Sequence, residues 1–319
     1  MTDARPGVLV FAPSPLLTVT IESRASEPDV HLHAGGQGVW VGRMVATLGV
    51  PVRLCGCFGG ETGLLLQVLV EREGVELVAI ASEVANAAYV HDRRSGEREV
   101  VAQMSPPPLS RHEVDQLYGA AILEALEASV CVLSGTPSPD AVPVDVYRRL
   151  AEDVRANDTM VVADLSGDQL QAALEGGVDV LKVSHEQLLK DERIAEDDED
   201  QLLEAMHQLQ ADGAANVVVS RADQPTLAIV DDTTVEVVVP PLQPVDTRGG
   251  GDSMTAGLAA ALARGHGLED ALCLAAAAAA LNVTRRGLAT GDRHQIERMA
   301  ARVEVRRLER ESGSAEPED

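Results

Sequence analysis

The sequence predicts an α/β protein: a parallel sheet covered by helices on both faces, with a small flap of separate strands. Three observations carry this. From about residue 110 onward, helix-patterned and strand-patterned stretches alternate at the spacing of a doubly covered parallel sheet. Several strand stretches are continuous apolar runs, such as Val8-Leu9-Val10-Phe11, which suits strands buried on both faces. The first hundred residues instead hold short, irregular strands broken by polar loops, which is expected of strands that leave the main sheet.

In chain order, residues 7–12 form a buried strand. Residues 19–21 and 30–33 are short strands split by a polar loop at 23–29. Gly35-Gly36-Gln37-Gly38 opens a helix that runs to about Leu48 and is stopped by Gly49, since glycine tolerates the left-handed conformation that ends a helix. Residues 52–57 are a strand, 58–63 a turn and 64–73 a helix. Strands at 75–80, 87–91 and 98–102 follow, the last two flanking a hairpin-like turn at 92–96. Pro106, Pro107 and Pro108 break the pattern. Helices are expected at about 110–128, 140–156, 167–175 and 199–211, alternating with strands at 130–134, 160–164, 179–183 and 216–220. Residues 227–230 and 235–239 form a hairpin across Asp231-Asp232, and three helices close the chain at about 253–264, 268–283 and 291–308. Residues 1–308 read as one domain, with lid strands drawn from about 17–33 and 86–102. The acidic run 309–319 reads as a disordered tail.

Of the 319 residues, 45% are hydrophobic, ample for a large core. Lys and Arg number 26 against 51 Asp and Glu, a formal net charge of −25. Such a surface repels nucleic acid and anionic membrane, so neither is expected as a partner. An anionic substrate must be drawn in by a local site. The acidic run at 196–200 reads as a solvated loop. Cys55 and Cys57 are spaced C-x-C, not C-x-x-C, and with Cys131 and Cys273 they read as buried free thiols of a reducing cytoplasm. No basic and apolar leader and no membrane-length apolar run is visible, so a soluble cytoplasmic protein is expected.

The stretch Asp246-Thr247-Arg248-Gly249-Gly250-Gly251-Asp252 carries the chemistry. Consecutive glycines let backbone N–H groups converge without a Cβ in the way, and a helix N-terminus adds partial positive charge at the same place. That is a seat for an anion, with the Asp252 carboxylate beside it. Phosphoryl transfer to a hydroxyl needs both parts: donors for the moving oxygens and a base for the attacking hydroxyl. A Rossmann reading fails because Met254 stands where its third glycine would be, and a Walker A loop fails because no Lys-Ser/Thr follows.

This stretch resembles the Asp-Thr-x-Gly-Ala-Gly-Asp signature of the ribokinase-like (PfkB) carbohydrate kinases. Its continuation through Ser253, Met254, Ala256 and Gly257 is most similar to the phosphofructokinase and tagatose-6-phosphate kinase branch. The resemblance extends along the chain in the right order. Gly35-Gly36-Gln37-Gly38 through Arg43 resembles the family's glycine entry, and Gly59-Gly60-x-Thr62-Gly63 its next turn. Ser134-Gly135-Thr136-Pro137 resembles its Ser-Gly-Ser/Thr-x-Pro loop, and Ala280 through Thr284 with Gly287 its C-terminal helix pair. The resemblance implies a ribokinase-like three-layer α/β/α sandwich with a small β-sheet lid. It implies an ATP-dependent kinase of a small sugar or sugar phosphate, with Asp252 as general base and Gly249, Gly250 and Gly251 as the anion hole. Acceptor contacts fall to Gly35, Gly36, Gln37, Trp40 and Ser134, and nucleotide contacts to Thr247, Ser220, Arg221, Asp223 and Asn282. Mg²⁺ accompanies the ATP, with Glu186 as a candidate ligand, and a homodimer joined through the lid is expected.

Several positions depart from the family pattern. The early substrate acid is absent from Ala12-Pro13-Ser14-Pro15-Leu16, and the glycine entry has Gln37 and Trp40 in place of Lys and Asn. The stretch 86–90 has no arginine to pair with a sugar phosphate. Ser184-His185-Glu186-Gln187 stands at the Asn-x-x-Glu position, and Ser220-Arg221-Ala222-Asp223-Gln224-Pro225 at the nucleotide loop. Trp40 offers a flat face for a ring or packs in the core. His31, His33 and His91 read as surface or hydrogen-bonded residues, and Arg93 and Arg94 as solvated turn residues. The drifted motifs support an alternative, a catalytically degraded relative that binds a nucleotide or metabolite, or a kinase for a nucleoside-like acceptor.

Overall fold

A computed structural model of the protein describes residues 7–308, apart from 26, 137 and 286. The expected tail at 309–319 and Pro137 of the Ser-Gly-Thr-Pro loop lie outside the described residues. The chain builds a ten-stranded sheet around β1 (Val8–Phe11), which pairs in parallel with β4 (Val52–Gly59) on one side and β8 (Val130–Ser134) on the other. Outward from β4 lies β5 (Glu76–Ser82); outward from β8 lie β9 (Met160–Asp164), β10 (Val178–Ser184) and β11 (Ala214–Arg221), all parallel. An antiparallel meander completes the sheet: β12 (Gln224–Val230), β13 (Thr233–Val238) and β14 (Glu304–Arg307).

Alternation along the central strands sorts side chains to two cores. Val8, Val10, Val162 and Val180 face one helical layer, and Leu9, Phe11, Leu133 and Leu181 the other, as a period of two requires. The first layer holds α1 (Gln37–Thr47), α2 (Gly60–Glu71), α8 (Gly250–Ala263), α9 (Leu268–Val283) and α10 (Arg293–Ala300). The second holds α3 (Arg111–Ala125), α4 (Asp145–Arg155), α5 (Gly167–Gly176), the short α6 (His185–Lys190) and α7 (Glu199–Asp212). Cys55, Cys57 and Cys131 lie in the second core as free thiols, and burial pushes Cys57 and Cys131 up to about 12. No described helix is long and apolar enough to cross a membrane.

Four strands form a separate sheet over the carboxyl ends of β1 and β4, in the order β3 (Glu27–Gly35), β2 (Leu16–Arg24), β6 (Ala87–Asp92), β7 (Glu99–Met104). The two short strands expected in 17–33 are in fact a paired hairpin of nine-residue strands, with register from Leu16↔Gly35 to Arg24↔Glu27. Cross-strand pairing thus orders the polar stretch read as a loop. Asn86 anchors the second hairpin from below: its buried amide donates to the Pro15 and Cys57 carbonyls and accepts from the Gly59 N–H.

Other boundaries shift for identifiable reasons. The helix expected over 291–308 stops at Ala300, and Glu304–Arg307 pairs with β13 instead. Val303 and Val305 pack on the core there while Glu304 and Arg306 stay exposed, a strand alternation inside an arginine-rich run. Helix α2 begins at Gly60, within the expected turn, because Gly60 takes φ +62° where a Cβ would lie 2.7 Å from that of Ala85. The acidic run at 196–200 is only partly a solvated loop. Asp197 accepts from Arg221 Nε at 3.2 Å, and Asp198 caps α7 by accepting from the N–H groups of Asp200 and Gln201.

Candidate active site

Helix α8 starts three residues earlier than its apolar pattern indicates, and that shift makes the site. Gly249 is the N-cap, in the left-handed region at φ +74°. A Cβ on it would lie 2.8 Å from the Ala289 nitrogen, so both the backbone angle and the space call for glycine. Gly250, Gly251 and Asp252 then form the first turn, whose N–H groups have no partner within the helix. Asn282, wholly buried on α9, holds the cap in place: its Nδ2 donates to the Arg248 carbonyl at 2.8 Å and its Oδ1 accepts from the Thr290 N–H at 3.2 Å.

Under this turn lies a buried charge cluster that sequence reading passed over. Asp164 ends β9 and Lys182 lies near the end of β10. They face α8 because they stand two residues beyond Val162 and Val180, which pack on that side. Lys182 Nζ is 3.2 Å from Asp164 Oδ2, with side-chain exposures of 4% and 1%. The Thr255 hydroxyl donates to the same oxygen at 2.6 Å, and Asp164 Oδ1 has no hydrogen-bond partner. The lysine amine also reaches the anion seat, lying 2.7 Å from where a Cβ on Gly251 would be.

These charges set the state of Asp252. Burial, then the neighbouring Asp164 carboxylate, push its pKa up from 3.8 to about 7, against the opposing pull of Lys182. A carboxylate poised near neutrality beside convergent N–H donors and an ammonium group is equipped to take a proton from a hydroxyl while the donors stabilise a transferring anion.

The residue pattern that organises this site is matched along most of the chain by the family model described as pfkB family carbohydrate kinase, over residues 17–295. The chain belongs to the pfkB family of carbohydrate kinases. As a member, it is an ATP-dependent phosphotransferase acting on a sugar hydroxyl. It is similar to ATP-dependent 6-phosphofructokinase isozyme 2 of Mycobacterium tuberculosis, at 28% identity over 93% of this chain and 89% of that protein. Its identity to the 1-phosphofructokinase of Bacillus subtilis is 26%, over 86% and 89% of the two chains. Among solved structures, phosphofructokinase-2 from Escherichia coli with potassium superposes with a TM-score of 0.82 at 24% identity, over 92% of this chain and 98% of that one. Arabidopsis thaliana ribokinase with ribose and ATP gives 0.73 at 20% identity, over 93% and 99%. Both likenesses show the ribokinase-like fold.

On this pfkB frame the other expected site residues divide. Gly35 ends lid strand β3 and Gly36 leads from it into α1: a Cβ on Gly35 would lie 2.8 Å from Thr18 Oγ1, and Gly36 takes φ +102°. Gln37 Oε1 accepts from the Gly135 N–H at 2.8 Å, tying the glycine entry to the loop after β8. Ser134 is wholly buried, its hydroxyl donating to the Phe11 carbonyl at 2.7 Å, so its side chain braces β8 against β1. Trp40 packs against the core with one side and lines a cavity beneath the lid with the other. Thr247 is exposed on the loop before the cap.

The nucleotide-loop residues Ser220, Arg221 and Asp223 sit at the end of β11 and in its turn, where Ala222 takes φ +40°. Arg221 is buried and turned toward Asp197, and the Ser220 carbonyl lies 3.3 Å from His185 Nδ1. Ser184 and Gln187 form a capping box for α6: the Ser184 N–H donates to Gln187 Oε1 at 2.7 Å, and the Gln187 N–H to Ser184 Oγ at 3.2 Å. Glu186 is exposed in the first turn of that helix. The buried carboxylate beside Asp252 is therefore Asp164, not Glu186. A lysine inside the apolar run Val178–Ser184 was the signal for it, because a lysine is rarely buried without a partner.

Proposed function

We propose that the chain transfers the γ-phosphoryl group of ATP to a hydroxyl of a sugar phosphate. The observation that carries the chemistry is Asp252, held near neutrality at the start of α8 beside Lys182. The acceptor proton passes to the Asp252 carboxylate as the acceptor oxygen bonds to the γ-phosphorus and the bond to the β-phosphate oxygen breaks, leaving ADP. The first-turn N–H groups and the Lys182 amine hold the equatorial oxygens while charge spreads over them. The 6-phosphofructokinase and 1-phosphofructokinase relatives support a phosphorylated acceptor. The expected result is ADP release that depends on fructose 6-phosphate, fructose 1-phosphate or tagatose 6-phosphate in a coupled assay. No release with any sugar or sugar phosphate would overturn the reading.

Mg²⁺ fits this site as a companion of the nucleotide. The buried, unpartnered Asp164 Oδ1 is a ready oxygen ligand, while no group of three or more acidic, His or Cys side chains among the described residues makes a metal cage. That is the donor set of an ion held mainly by phosphates and water. Such an ion neutralises phosphate charge, and Asp164 is the residue that would hold it.

The lid supports a homodimer. Val30 and Leu32 are exposed on β3, and β7 is exposed along its whole length, Val100 and Val101 included. An unpaired apolar edge of this kind is normally covered. Light scattering should give twice the chain mass, falling to one chain mass in Leu32→Lys/Val100→Lys; a wild-type monomer at micromolar concentration would remove the dimer.

A further inference from the structure

The stretch at residues 86–90 has no arginine for a sugar phosphate, yet guanidinium groups reach the space under the lid by another route. A cavity of about 160 Å³ lies between β2, α1 and the loop before α8. At about 30 Å³ per water, it has room for a phosphate-sized group. Arg93 and Arg98, from the turn between β6 and β7, and Arg248, next to the Gly249 cap, line it, with the Trp40 ring and the Thr18 and Thr20 side chains completing its wall. Arg93 is thus drawn inward, unlike Arg94, which pairs with Asp92 and is exposed.

Charge in this cavity is unbalanced in favour of an anion. Arg248 occupies both oxygens of Asp246, at 2.8 and 2.6 Å, and Arg93 reaches the same carboxylate at 3.4 Å and Glu22 only at 3.9 Å. Arg43, the fourth guanidinium, is satisfied by Glu73 and by the Leu288 and Ala34 carbonyls. Among the described residues Arg98, exposed in the turn on its outer side, makes no ion pair; it donates to His91 Nε2. His91 itself is buried, with Nδ1 lacking a partner. Arg93, Arg98 and Arg248 face two carboxylates here, Asp246 and Glu22, which leaves one guanidinium in excess in a chain of net charge −25.

We infer that this cavity seats the phosphate of the acceptor, with Arg98 and Arg93 as its ligands from the lid and Arg248 fixing its edge against the catalytic loop. The inference rests on the kinase reading and adds how a phosphorylated acceptor is told from a free sugar. The lid turn supplies cations that the lid strand lacks, so acceptor binding and lid closure over α8 are one event. The phosphate sits against Trp40, and the sugar hydroxyls extend toward Asp252.

Trp40 is the only tryptophan, so its fluorescence reports occupancy without turnover. Titration with inorganic phosphate, fructose 1-phosphate and fructose 6-phosphate should change it saturably, and the change should weaken about 10- to 100-fold in Arg98→Met, as loss of a charge-assisted contact implies. In the coupled assay Arg98→Met should raise KM for the phosphorylated acceptor by the same factor and leave kcat and KM for ATP within about twofold, with Arg98→Lys recovering part of the loss. Unchanged melting temperature in Arg98→Met separates this from misfolding, and Arg93→Met gives the same test from the neighbouring residue. Phosphate ligands that fail to bind the wild type, or bind Arg98→Met as well, overturn the inference. So does a KM change confined to ATP, which would place the nucleotide's phosphates here. Lost ADP release with phosphate binding intact and sensitive to Arg98 would defeat the kinase reading while keeping the anion seat.

Discussion

Asp252→Asn is expected to lower kcat by about 10²- to 10⁴-fold, the usual contribution of a positioned general base. Substrate affinities should change little, because the amide keeps the shape of the carboxylate. The wild-type pH profile supplies the companion measurement. Only the ionised carboxylate accepts a proton, so kcat/KM should fall as pH drops through about 7, the value to which burial and Asp164 raise Asp252. Stability should move the other way. A folded-state pKa raised from 3.8 to about 7 means that the native state retains a proton the unfolded chain releases. The resulting stability is fully present below about 3.8 and lost as pH rises through about 7. At about 1.4 kcal/mol per unit, the ionised carboxylate costs the fold at most about 4 kcal/mol above pH 7. Asp252→Asn should therefore melt higher than wild type at pH 8 and nearly with it at pH 4. Near-normal turnover in Asp252→Asn, or a profile flat through pH 7, would remove Asp252 as the base.

What was legible in the sequence follows from what local pattern encodes. The α/β class was legible because buried strands read as apolar runs and the helices between them carry their own period. The catalytic turn was legible because Gly249 to Asp252 concentrates residues with few other uses. Long-range placement was not. Lys182 and Asp164 are 18 residues apart and meet only because β9 and β10 are neighbours in the sheet. Arg248 and Arg93 meet across 155 positions through Asp246, because the lid folds its turn back onto the loop before α8. The family pattern marks the lid-strand position where the arginine is missing and has no place for Arg93 and Arg98, which come from the turn. Ser134 and Asn282 show the converse. Each matches a family motif, and in the folded chain their polar atoms brace backbone, at Phe11 for one and at Arg248 and Thr290 for the other.

The pair beneath Asp252 sets the second large effect. Lys182→Met should lose about 3–5 kcal/mol of stability, because it leaves the buried Asp164 carboxylate without its cation. It should also silence the site by two routes. The amine beside Gly251 disappears from the anion seat, and the charge that holds the Asp252 pKa down is gone, so the acidic limb of the pH profile should move above 7. The double variant Lys182→Met/Asp164→Asn separates these contributions. Neutralising both partners removes the uncompensated charge, so most of the lost melting temperature should return. It also removes the carboxylate that raises Asp252, so the acidic limb should fall back toward lower pH. Turnover should stay low all the same, because no side chain replaces the ammonium group against the transferring phosphoryl. If the double variant recovered both stability and turnover, Lys182 would be a brace for Asp164 and no more. If Lys182→Met alone kept the wild-type rate and pH profile, the cluster would have no part in setting the base. Stability restored without rate is the outcome that places the pair in the chemistry, since packing and charge balance would then be repaired while the Lys182 contact to the moving phosphate and the Asp164 oxygen for Mg²⁺ would both be absent.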